Sequence, residues 1–183
     1  FPVDWAYTID CCELGEVVWE TFNAGNAKLT VKGIPAHPMS SKGVMVNPTL
    51  VVHDFLNMLD RAATPECTEG REGFIVVKGI QSNPSKAVLT MKVRDHNRKL
   101  YEEKKNLLRA AAEFLRVRHP RAGIELELSD SYANIADAVT NENRRGIDCL
   151  YQALEETGVE AKTKAMRGGT DGSYLSVKGV LTP

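Results

Sequence analysis

The run Phe74-Ile-Val-Val-Lys-Gly-Ile-Gln-Ser-Asn-Pro-Ser-Lys-Ala-Val-Leu-Thr-Met-Lys-Val-Arg94 decides the fold. Residues 74–79 and 86–94 are strand-like, and Gln81-Ser-Asn-Pro-Ser85 between them carries the turn residues of a hairpin. A helix is expected on each side of this hairpin. Downstream, residues 97–118 place Leu100, Leu107, Ala111, Phe114 and Leu115 on one face, with Lys99/Glu103 and Arg109/Glu113 paired at i, i+4; His119-Pro120 stops the run. Upstream, Asn47-Pro48 supplies an N-cap and a proline at the first helical position, and Val51, Phe55, Met58 and Ala62 repeat at helical spacing, predicting about four turns.

Beyond the helices lie two more strands. Leu29 and Val31 alternate within 27–33, and Ile124, Leu126 and Leu128 alternate with Glu125, Glu127 and Ser129. Residues 27–130 therefore read strand, helix, strand, strand, helix, strand, the split β-α-β order of a ferredoxin-like sandwich with two helices on one antiparallel sheet.

The flanks differ from this unit. Trp5-Ala-Tyr-Thr-Ile-Asp10 reads as a short buried strand ending at an acid, and 16–23 as another strand. After Tyr132 come an amphipathic helix over about 142–157, ended by Gly158, a strand at 160–166, the turn Arg167-Gly-Gly-Thr-Asp-Gly172 and a last segment at 173–181. The expected class is α/β (α+β), with the sandwich inserted into a second domain: 1–23 and 134–183 are pieces of that domain, and 24–133 is the insert.

Composition narrows the function. At 43% apolar and 26% charged residues, the chain is neither disordered nor collagen-like. Its 23 Lys+Arg and 24 Asp+Glu nearly cancel, which speaks against a phosphate-backbone partner. The longest apolar run is Phe74–Val77, far short of a membrane span. The chain opens at Phe1-Pro2 without an initiator Met, so it is read as processed or as part of something longer. Cys11, Cys12, Cys67 and Cys149 form no C-x-x-C and no zinc-finger spacing.

Three residues carry candidate chemistry. Asp10 stands at the C-terminal end of an apolar strand, where α/β enzymes place ligands and catalytic groups. His37 sits between Pro35 and Pro38 in a stiffened loop; an imidazole so presented suits a hydrogen-bond donor to an anionic intermediate, or a general acid. Arg167 opens a Gly-rich turn that can hold a carboxylate through a planar two-pronged donor. The pairs Glu102-Glu103 and Glu155-Glu156 belong to solvated helix faces, and His53, His96 and His119 read as structural.

These residues belong to longer strings: Asp4-Trp-Ala-Tyr-Thr-Ile-Asp10, Leu14-Gly-Glu16, Phe22-Asn-Ala24, His37-Pro38, Lys42-Gly-Val-Met-Val-Asn47, Thr68-Glu-Gly70, Glu72-Gly-Phe74, Arg94-Asp95 and Arg167-Gly-Gly-Thr-Asp-Gly172. In that order, over essentially the whole chain, the pattern resembles the middle of the peptidase T family of bacterial aminotripeptidases. The resemblance implies a cytoplasmic dinuclear zinc exopeptidase acting on tripeptides, whose catalytic α/β domain is interrupted by a ferredoxin-like lid that also forms a homodimer. It further implies that Asp10 binds one zinc, that His37 reaches the partner subunit's active site and steadies the oxyanion, and that Arg167 holds a substrate carboxylate. The family's His-x-Asp motif, bridging Asp, Glu-Glu pair and final metal-binding His have no counterpart here, and Cys11-Cys12 stand where the family usually has Gly-Gly. The expected chain is thus a piece that is inactive alone. The alternative from the residues is a non-catalytic ferredoxin-like module for dimerisation or small-molecule binding; an RNA-binding version would need an aromatic stripe on its central strands, which this chain lacks.

Overall fold

A computed structural model describes residues 3–9 and 13–183. Its main body is a four-stranded antiparallel sheet of β2 (Asn23–Lys32), β3 (Phe74–Ser82), β4 (Lys86–Asp95) and β5 (Gly123–Tyr132), in the order β3-β4-β2-β5. The helices α1 (Pro48–Asn57) and α2 (Arg98–Arg118) cover one face. The expected β-α-β-β-α-β sandwich is this unit, and mixed α/β is the fold class.

Period-two alternation builds its core. Ala27, Leu29 and Val31 of β2 and Ala87, Leu89, Met91 and Val93 of β4 point under the helices, where Val51, Val52, Phe55, Leu108 and Leu115 meet them. The opposite face is polar and carries the Lys28–Glu127 pair across β2 and β5.

A second, smaller body consists of β1 (Glu16–Glu20) parallel to β6 (Lys162–Ala165), with α3 (Arg145–Glu156) and α4 (Asp171–Ser176). Its core gathers Ile135, Ile147 and Leu181 with Trp5, Trp19 and Tyr151. Both passages between the bodies are tied together. Asn134 Oδ1 accepts from Thr21 N at 2.8 Å, Asn134 N donates to Asn23 Oδ1 at 3.3 Å, and the Asn23 and Asn134 amides both donate to His96 O. Thr21, Asn23, Asn134 and His96 are all buried, so these bonds satisfy backbone groups that water cannot reach.

Three expectations need correction. The helix from Pro48 stops at Asn57, short of Ala62, because the Asp60 carboxylate accepts the Ala62 N–H at 2.8 Å and offers the backbone a turn instead. The run 5–10 is not a strand over its described part: it pairs by one bridge, Trp5 to Leu181, with Ala6 N donating to Leu181 O at 2.9 Å and Thr8 N to Pro183 O at 3.3 Å, and Ile9 is fully exposed. On α2, the core side is Tyr101, Leu108, Ala111, Ala112 and Leu115, while Leu100, Leu107 and Phe114 are 46%, 41% and 53% exposed. The helix is apolar over an arc wider than one interface, and its packed side lies one residue round from the expected stripe.

Candidate functional site

His37 leaves β2 on a loop whose base is closed by Ile34 and Val46, which exchange backbone bonds of 3.0 and 2.9 Å. The residue is exposed and caps the short 3₁₀ turn Pro38–Ser40. Its Nδ1 accepts the Met39 N–H at 3.2 Å. A backbone N–H can only donate, so in the neutral ring the proton sits on Nε2. The loop thus presents an imidazole N–H donor in a fixed tautomer.

Arg167 follows β6 and reaches the other end of the sandwich. Its Nη1 donates to Gly70 O (3.1 Å) and Glu72 O (2.9 Å), and its Nη2 to Thr68 Oγ1 (2.8 Å). The guanidinium also lies over the rings of Phe22 and Phe74, 5.4 and 5.3 Å from their centroids. Arg71, in the same loop, makes a two-pronged ion pair with Glu20 of β1, both bonds 2.6 Å. This pair, chiefly the Arg71 hydrogen bond, holds the Glu20 carboxyl below its usual value. His96 packs against Phe22, with ring centroids 4.2 Å apart and planes tilted by 49°, and places Nε2 3.1 Å from Met166 O; burial pushes its pKa down.

His37 and Arg167 are not brought together within one chain. Phe22 N donates to Gly168 O beside the start of β2, whereas Gly33 N donates to Ser85 O at its end. The ten residues of β2 (Asn23–Lys32) separate the two points, roughly 30 Å at a strand's rise per residue. Asp10, the expected metal ligand, lies outside the described residues. Among the described residues no group of three or more His, Cys, Asp or Glu side chains converges to hold a metal, so a zinc donor set is not met there. No helix among them is long and apolar enough to cross a membrane.

Sequence reasoning missed two features of this region. One is the loop Thr68–Glu72 as the partner of Arg167, although Thr68-Glu-Gly70 and Glu72-Gly-Phe74 stood out as motif strings. The other is the apolar surface where Leu100 and Leu107 of α2 join Leu56, Leu59, Ile75 and Val77 around a cleft of about 760 Å³ beside the edge strand β3. Heptad spacing of Leu100, Leu107 and Phe114 was the available signal.

Residues 19–121 match the family described as peptidase dimerisation domain. The whole chain is 47% identical to a peptidase T-like protein of Rhizobium meliloti and 40% identical to peptidase T of Parabacteroides distasonis, covering 45% of each. It therefore spans about half the length of the curated relatives it matches. Among solved structures, a Staphylococcus aureus tripeptidase superposes with a TM-score of 0.80 at 17% identity, over 100% of this chain and 48% of that one. A Bacillus cereus aminopeptidase also gives 0.80, at 12% identity over 98% of this chain and 48% of its own. At such identities the two structures speak for the fold.

Proposed function

The chain belongs to the peptidase dimerisation-domain family, and from that membership we propose that it is the central portion of a cytoplasmic peptidase T-like enzyme that removes the N-terminal residue of tripeptides. In this reading residues 24–133 are the lid and dimerisation domain, and 1–23 and 134–183 are parts of the catalytic domain. Asp10 is one zinc ligand, the remaining ligands lie outside this sequence, and the chain alone is inactive.

One observation carries the reading. His37 presents a fixed Nε2–H donor about 30 Å along the sheet from Arg167, so a site that uses both needs a second copy. Leu100 and Leu107, exposed beside edge strand β3, and Phe114 farther along α2 offer that copy an apolar surface. Across the dimer, His37 donates from Nε2 to the oxyanion that develops on the scissile carbonyl oxygen, while Arg167 of the other subunit holds the peptide's carboxylate. Such a donor acts where charge develops, so it lowers the barrier rather than tightening ground-state binding.

The test is complementation in the full-length enzyme. His37→Ala lowers kcat by about 10²–10³ with little change in KM. Mixing it with Asp10→Ala restores part of the activity, because one site of the mixed dimer keeps its metals and receives an intact His37. Near-normal kcat for His37→Ala, or no rescue on mixing, refutes the trans role.

A further inference from the structure

Arg167 is asked by the proposed function to hold a substrate carboxylate, yet three of its N–H groups already point into the lid loop, at Gly70 O, Glu72 O and Thr68 Oγ1. Among the described residues no carboxylate pairs with it. We propose that the loop Thr68–Glu72 and the substrate's C-terminal carboxylate compete for the same guanidinium, so that peptide binding unlatches the loop. The inference rests on the carboxylate reading of Arg167 and adds the coupling between that site and the loop.

The exchange is favourable on both sides. A carboxylate accepts two parallel bonds from a guanidinium and brings it a full opposite charge, which the carbonyl and hydroxyl oxygens of the loop do not. The oxygens given up are easily rehydrated, since Gly70 and Glu72 are exposed and Thr68 is half-buried. Phe22 and Phe74, beneath the guanidinium, remain in place because each belongs to the framework beside β2 or to β3 itself. The loop does not come free altogether. Arg71 keeps its pair with Glu20, and Thr68 Oγ1 still donates to Thr64 O at 2.9 Å. What opens is the stretch around Glu72, whose N–H donates to Glu69 O at 2.9 Å and so has an exchange-protected amide to report on. By linkage, the factor by which the latched loop weakens peptide binding is the factor by which bound peptide weakens the latch.

Hydrogen exchange of the full-length holoenzyme tests this with two probes: trialanine whose first peptide bond is reduced, which cannot be cleaved, and the same compound as its C-terminal amide. The reduced trialanine should speed exchange of the Glu72 amide by at least about fivefold, and the amide should leave it unchanged. Thr68→Val, which removes one competing acceptor, should bind reduced trialanine at least about tenfold more tightly than wild type, the worth of one hydrogen bond from a charged donor. If reduced trialanine binds while the Glu72 amide and the Thr68→Val affinity stay at their wild-type values, the competition is wrong and the peptidase reading stands. If the two probes bind equally, or neither binds, the carboxylate role of Arg167 fails and the coupling fails with it.

Discussion

Leu107 and Leu108 are neighbours in sequence with opposite environments, and exchanging each for Ala separates assembly from folding. Leu108 is fully buried between the sheet and α2, whereas Leu107 is 41% exposed on the stripe with Leu100 and Phe114. Burying a whole Leu side chain is worth about 1.5–3 kcal/mol, so covering the open part of Leu107 contributes about 1 kcal/mol. A two-fold interface counts it twice. Leu107→Ala should therefore weaken the dimer by about 2 kcal/mol, roughly 30-fold in Kd, and shift the unfolding midpoint of the monomer little. Leu108→Ala should instead cost about 2–5 kcal/mol of folding stability through lost contacts and a cavity. Sedimentation equilibrium over a concentration series gives the first number, and urea unfolding followed by circular dichroism the second. An unchanged dimer constant for Leu107→Ala would refute the assignment of this stripe as the self-association surface.

Two further outcomes concern the junction between the bodies. The Glu20 carboxyl is held below its usual value by Arg71, so its stabilising contribution is complete above about pH 5 and is lost as pH falls through the lowered value. Arg71 is largely exposed, which limits this to about 1 kcal/mol or less; Glu20→Gln should lower stability by that amount above about pH 5, including near neutrality, and the two urea-midpoint profiles should converge as pH falls through the lowered value. Asn134→Ala strips the buried Thr21 N–H of its acceptor, which should cost about 1–3 kcal/mol and lower Tm by several degrees, read by calorimetry; an unchanged Tm would mean that water replaces the amide.

The sandwich was legible because its apolar side chains follow the periods of their elements: Leu29 and Val31, or Ile124, Leu126 and Leu128, alternate, and Asn47-Pro48 marks a helix start whose cap is made, with Asn47 Oδ1 accepting from Thr49 N at 3.0 Å. What periodicity does not encode is which part of a broad apolar arc is packed. Leu107 reads as core in the sequence, whereas the packed side of α2 takes Leu108 and leaves Leu107 exposed. Nor does it encode partners remote in sequence. The turn at Arg167 suggested a carboxylate site by its chemistry, but its engagement with Thr68, Gly70 and Glu72 depends on two segments about a hundred residues apart meeting in space. Of the strand expected at 5–10, the described part makes one parallel bridge, Trp5 to Leu181, and a backbone bond from Thr8 N to Pro183 O.

Ala24 and Tyr132 face each other across the first step of the β2–β5 ladder. The chain thus enters and leaves the sandwich through two adjacent doors, about 5 Å apart at the spacing of paired strands. In the proposed arrangement, with 24–133 inserted into a second domain, ends so closely set make a cassette: its removal should be bridged by a turn of a few residues, and a different domain with the same end-to-end spacing should replace it without stretching the remainder. Because a single threshold fixes where the insert stands, point changes at Thr21, Asn23 or Asn134 would re-aim everything beyond it, including a histidine loop roughly 30 Å away, where a tilt of a few degrees becomes a displacement of an ångström or more.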